Sequence, residues 1–213
     1  MKTIMRNPVL LSLVLVGTQA NATTSAPKPV WPSVFFANFS EQHVTVATDS
    51  DVGYYALDLD FDGGKGAQAI YRTNGTSTNC GGVHKNTPCT QLAVGGERYL
   101  VFPEKNDCCV CCSWAEGCGP IVPAWTQGAK YKGRTEVNGV QCDDFEIDGF
   151  EPNRLLQTPD GKKLCELNNA MVDVMKFDLD SWGSTVDPAY FALPKAGCSR
   201  RCGAVGECQA KWW

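Results

Sequence analysis

Histidine is nearly absent from this 213-residue chain: only His43 and His84 occur. A Ser-His-Asp or Cys-His arrangement needs one of them as general base. His43 stands in a strand pattern, and His84 stands in the loop Gly81-Gly82-Val83-His84-Lys85-Asn86, a poor platform for proton transfer. There is no Gly-x-Ser-x-Gly elbow and no Gly-rich loop opening a helix, so the hydrolase and phosphate-binding signatures are both missing. Basic residues are scattered, with no cluster longer than a pair such as Arg200-Arg201, and the net charge is −4, which leaves no face for nucleic acid. Beyond the N-terminus no apolar run approaches the roughly 20 residues that span a bilayer. The expectation from these absences is a protein without catalytic machinery, nucleic-acid partner or transmembrane segment.

The N-terminus reads as a secretory signal. Lys2 and Arg6 supply a positive start, Pro8 to Val16 is apolar except for Ser12, and Ala20-Asn21-Ala22 offers the small residues of a cleavage site after Ala22. The expected organisation is a signal peptide over 1–22, a flexible Thr/Ser/Pro-rich arm over 23–33, and one domain over 34–213. Past the expected cleavage site, which splits a third sequon at Asn21, two N-glycosylation sequons, at Asn38 and Asn74, fit an extracellular protein or one of an endomembrane lumen such as a vacuole.

Cysteine is what the chain has in abundance. All twelve lie past the signal: Cys80, Cys89, Cys108, Cys109, Cys111, Cys112, Cys118, Cys142, Cys165, Cys198, Cys202 and Cys208. An even count in an oxidising compartment implies a disulfide framework, whose connectivity the sequence leaves open. The run Cys108-Cys109-Val110-Cys111-Cys112 also contains two overlapping Cys-x-x-Cys pairs, the spacing of zinc sites. Behind a signal peptide the disulfide reading is preferred.

From Val34 the pattern is mostly strand. Val52 to Asp62 ends in period-two alternation, Gly63 to Gly66 turns the chain, and Ala67 to Thr73 returns to Asn74-Gly75, a tight-turn signal. Further strands are expected over Glu97 to Pro103, Val140 to Phe150 with a bulge near Asp143-Asp144, and Ala170 to Trp182. Thr158-Pro159-Asp160-Gly161 closes a hairpin. Residues 104–120 read as a stapled loop, and 122–131 as one short helix opened by Pro123. The fold class expected is predominantly β with few short helices, an antiparallel sheet or partial barrel.

Asp58, Asp60 and Asp62 stand at alternate positions before Gly63 and mimic the start of an EF-hand loop. Position twelve would be Ala69, where that loop needs a bidentate Glu. The preferred reading is a strand with Leu59 and Phe61 inward and the carboxylates in water; a weak calcium site, completed by Asp178 and Asp180, is the competing one. No other cofactor is expected.

The order of several short motifs resembles the ependymin-related proteins and, more distantly, the bacterial lipoprotein carriers of the LolA type. These are the strand ending Leu59-Asp60-Phe61-Asp62, Ile70-Tyr71-Arg72 before Asn79-Cys80, Tyr99-Leu100-Val101-Phe102, Pro123-x-Trp125 with Tyr131-x-Gly133, the strand around Cys142, the Asp160-Gly161 hairpin, and Phe191-x-Leu193-Pro194 before Cys198. The cysteines at 108–118 and 198–208 depart from the ependymin pattern. The resemblance implies one strongly curved antiparallel sheet, a half-barrel of about nine to eleven strands, with an apolar pocket for lipid-like ligands, calcium sensitivity and dimerisation.

The leading functional reading is a secreted carrier or sensor of a hydrophobic ligand, with Trp125, Tyr131, Phe145, Ile147 and Trp182 as pocket candidates. The alternative is an extracellular structural or adhesion module that meets proteins or glycans. A hydrolase built on a carboxylate pair is the third, because the spacing such a pair needs is a three-dimensional property.

Overall fold

The computed structural model describes residues 26–43, 50–75, 80, 83–149, 152–169, 173–195, 197–203 and 208. The expected signal peptide over 1–22 lies outside them. Eleven strands form one open antiparallel sheet: β1 (Val34–His43), β2 (Ser50–Asp58), β3 (Ala67–Arg72), β4 (Cys89–Val94), β5 (Glu97–Phe102), β6 (Asp107–Ser113), β7 (Lys130–Val137), β8 (Val140–Ile147), β9 (Asn153–Gln157), β10 (Leu164–Asn169) and β11 (Asp173–Phe177). Their order across the sheet is β6-β5-β4-β3-β2-β1-β11-β10-β9-β8-β7. Two meanders, β1 to β6 and β7 to β11, therefore meet at a single seam, where Phe39 faces Phe177 and His43 faces Asp173.

Period two decides which side chains meet. On the inner face Phe35, Ala37, Phe39, Tyr55, Leu57, Ile70, Leu155, Leu167, Met175 and Phe177 form the main core. Residues 30–33, 121–129 and 179–183 cover part of that face, and the sheet curls as a half-barrel to bury the rest. On the outer face Ala56, Ala69, Leu92, Tyr99, Val101 and Val110 form a second cluster, capped by Phe191 of the 3-10 turn Pro188–Phe191. Gly53 is needed where β2 passes β3: a Cβ there would lie 1.7 Å from the Tyr71 carbonyl oxygen.

Several expectations are corrected by the structure. The cysteine-dense run within 104–120 is not a loop but the edge strand β6. The expected helix over 122–131 is a 3-10 turn, Pro123–Thr126, followed by the start of β7. The bulge anticipated on β8 sits on its partner, between Tyr131 and Gly133 opposite Phe145 and Asp144. The hairpin at 158–161 is as expected, with the Gly161 N–H donating to the Thr158 carbonyl at 2.7 Å.

The twelve cysteines pair as Cys80–Cys89, Cys108–Cys198, Cys109–Cys202, Cys111–Cys208, Cys112–Cys118 and Cys142–Cys165. Three of these strap the C-terminal segment around β6. Cys198 is tied on the outer-cluster side, the Val110 N–H donates to the Arg200 carbonyl at 2.7 Å, and Cys202 joins the cluster of Leu100, Phe102 and Cys109. Val110 and Arg201 make a parallel bridge, so the strap covers the sheet edge that β6 would otherwise expose.

A candidate ligand cleft beside the buried aromatic face

Two backbone hydrogen bonds fix the wall of the site. The Phe36 N–H donates to the Gly183 carbonyl at 3.0 Å and the Gly183 N–H returns to the Phe36 carbonyl at 2.8 Å. This pins the chain just past β11 against β1 and stacks Trp182 on Phe35, with ring centroids 4.7 Å apart and planes 3° from parallel. Trp31 closes the other side. Its indole N–H donates to the Ile121 carbonyl at 3.0 Å, and its ring meets Trp125 edge-on at 5.3 Å. Thus Trp31, within the segment read as an arm, is buried; Val30 beside it is held by the Gln157 side-chain amide, which accepts from the Val30 N–H at 2.8 Å.

Between these elements opens a cleft of about 630 Å³, walled by Val30, Trp31, Val34 and Trp182 and rimmed by Lys162 and Lys163 of the β9–β10 turn. Lys163 Nζ donates to the Leu179 carbonyl at 2.7 Å, while Lys162 reaches into solvent. The walls are apolar and aromatic and the rim carries ammonium groups.

Of the five pocket candidates, Trp125, Ile147 and Trp182 come together in or against the main core, and Trp182 lines the cleft. Phe145 is buried and packs on Tyr131, centroids 5.5 Å apart, while the Tyr131 hydroxyl donates to Asp143 at 3.2 Å. Sequence reasoning missed Trp31, Val30, Lys162 and Lys163. The available signal was the apolar pair Val30-Trp31 set between Pro29 and Pro32 in an otherwise polar stretch.

The inner face also carries buried charge. Arg72 donates to both Glu41 carboxylate oxygens, at 2.6 and 2.9 Å, and His43 pairs with Asp173. Burial pulls the His43 imidazole down, but the hydrogen bond and charge of Asp173, aided by Glu41, hold it above its usual range. Arg98 is fully buried on the same face, and the Tyr55 hydroxyl, buried with no hydrogen-bond partner among the described residues, is pushed up by burial against the opposing charges of Arg98 and Arg72. His84, the other histidine, bonds Asp107 at 2.8 Å. That bond, with help from Arg200, holds the Asp107 carboxyl below its usual range against the opposing effect of burial.

The aspartates of the EF-hand-like run serve the chain locally. Asp58 accepts from the Asp60 N–H at 2.9 Å, and Asp62 pairs with Lys65 at 2.8 Å. Asp178 likewise accepts from the Asp180 N–H at 3.0 Å. Among the described residues, the one trio of metal-ligand types within 4.8 Å is Cys111, Cys202 and Cys208, and these sulfurs are in disulfides. Of the two sequons, Asn38 is exposed on the outer side of β1, and Asn74 is exposed beside the turn held by Asp51, which accepts from the Asn74 N–H at 2.9 Å.

Fold and cleft together define an open, disulfide-stapled antiparallel half-barrel. An uncharacterized conserved protein from Thermus thermophilus shares this fold over 79% of this chain and 91% of its own, with a TM-score of 0.50 at 9% identity. LprF from Mycobacterium bovis aligns over 76% of this chain and 90% of its own, at TM-score 0.41 and 12% identity. A chain of the Pseudomonas aeruginosa MucA/MucB complex aligns over 75% of this chain, at TM-score 0.39 and 10% identity, with 56% of its own length covered. No protein-family model matches the sequence, and no curated protein matches it. The likeness is one of fold.

Proposed function

We propose that the chain is a secreted carrier or sensor of a hydrophobic, lipid-like ligand, bound without covalent chemistry. The observation that carries this reading is the aromatic-walled cleft beside the core. Its 630 Å³ falls within the range of about 300–1,000 Å³ that small-molecule sites occupy, and its lining of Trp, Val and Pro is what an apolar ligand needs. Each Å² of apolar surface the ligand buries contributes roughly 25 cal/mol. Lys162 and Lys163 at the rim suit a carboxylate or phosphate head, so a long-chain fatty acid is the simplest ligand of this kind. Six disulfides support an oxidising compartment, and among the described residues no helix is long and apolar enough to cross a membrane.

Native mass spectrometry of the secreted protein with added oleate tests the reading. The expected result is a one-to-one adduct, weakened by Trp182→Ser and by the exposed rim substitution Lys162→Glu, the latter leaving the core intact. A clean unliganded mass, with no uptake at any oleate concentration below micelle formation, would remove the carrier reading.

A further inference from the structure

The outer face of the sheet carries a second feature, on the other side from the cleft. Tyr54 of β2 and Tyr71 of β3 are register partners, their rings stacked 5.1 Å apart and 20° from parallel. Tyr190 from the 3-10 turn lies against them, 4.7 Å from Tyr54 and stacked 5.2 Å from Phe36. These four rings are neither buried nor fully exposed. Thr90, opposite Tyr71 on β4, hydrogen-bonds the Tyr54 hydroxyl. Burial raises the Tyr54 phenol to about 12, with Tyr190 and Tyr71 adding to the effect, so it stays a neutral hydrogen-bonding group. Beside this strip lies an open cleft of about 400 Å³, lined by Tyr54, Tyr190, Thr90, Leu92, Val101 and Asp187.

We infer that this strip and cleft form a binding site for a neutral saccharide. A pyranose offers two kinds of surface: a ring face of C–H bonds with slightly positive hydrogens, and a rim of hydroxyls. The negative faces of aromatic rings suit the first. The phenol and threonine hydroxyls at the cleft suit the second. A hydrocarbon chain placed here would instead strip water from the exposed Asp187 carboxylate without replacing its hydrogen bonds. Three tyrosines rather than leucines on a half-exposed face separate this site from the cleft at Trp31 and Trp182. Residues are held for the purpose: β2 and β3 fix two rings, and the Asp187 side chain, accepting from the Ala189 N–H at 2.8 Å, fixes the turn that presents the third.

The test is isothermal titration of the full secreted chain with a panel of chitohexaose, cellohexaose, laminarihexaose and mannohexaose. It is run on Asn38→Gln protein, because Asn38 faces Tyr54 across β1 and β2 and a sugar carried there would compete. Binding of at least one hexasaccharide is expected, with Tyr71→Ala weakening it about tenfold, the worth of one good ring contact. Tyr190→Phe keeps the stack and is expected to retain most of the affinity, whereas Tyr190→Ala is expected to lose it. Oleate uptake is expected to be unchanged in Tyr71→Ala, which separates this inference from the carrier reading. No heat from any of the four sugars overturns the proposal, and so does binding that survives both Tyr71→Ala and Tyr190→Ala.

Discussion

His43 has no exposed surface, so its proton is a property of the seam rather than of the solvent. It sits at the end of β1 directly opposite Asp173 of β11, and the pair spans the one place where the two meanders join. Its folded-state pKa lies above the ordinary 6.5, so the charged pair's contribution to stability is fully present below about pH 6.5. That contribution is lost as pH rises through the folded-state value. The melting temperature is therefore expected to fall across this window, and Asp173→Asn is expected to flatten that fall while lowering stability by about 3–5 kcal/mol at low pH, where a buried charge loses its partner. Thermal unfolding followed by circular dichroism from pH 5 to pH 9, a range chosen around the free imidazole value, measures both. A profile identical in wild type and Asp173→Asn would show that the pair does not lock the seam.

At the scale of elements, the strap formed by residues 198–203 and Cys208 covers an edge that β6 would otherwise expose. Cys108–Cys198 closes a stretch of 90 residues and Cys112–Cys118 one of 6, and the longer loop restrains the unfolded chain more. Replacing Cys108 and Cys198 together by serine is expected to cost about 2–4 kcal/mol in urea unfolding, with a smaller loss for the pair Cys112 and Cys118. Equal losses would mean that the strap acts through native contacts instead. β6 also shows why sequence reading has limits. Its run Asp107–Ser113 holds four cysteines, a composition that reads as a stapled loop, and only tertiary pairing with Leu100 and the strap makes it a strand. β4 hides for a different reason: Cys89 to Ala93 are buried on both faces, so no alternation survives to be read. β2, β3, β9 and β10 were legible from the turn signals that bound them, Gly63 to Gly66, Asn74-Gly75 and Thr158 to Gly161, although β2 ends at Asp58, ahead of the alternating run Leu59 to Asp62 expected to extend it. In the cleft, Trp182 was legible as an aromatic at the end of a long alternating run, whereas Trp31 was masked by its flanking prolines. Lys162 and Lys163 stand in a turn, where nothing in the sequence distinguishes a rim from any other exposed lysine.

Over the whole molecule, the pairing pattern sets an order of events. Within each meander neighbouring strands are close in sequence, but β1 and β11 join residues more than a hundred positions apart, and such closures come slowly. Three bridges are local, at separations of 9, 6 and 23, and three tie the strap across 90, 93 and 97 residues. During oxidative refolding, Cys80–Cys89, Cys112–Cys118 and Cys142–Cys165 are expected to form before the strap bridges. Alkylation of quenched intermediates followed by peptide mapping reads that order, and strap bridges appearing first would refute it. The finished strap has a further consequence for cleavage of the chain by a protease. The bridges from β6 to residues 198, 202 and 208 make the backbone between them a closed covalent ring that holds all of β7 to β11. One cut anywhere in that ring, including the exposed turns between strands, leaves two fragments that are still a single molecule.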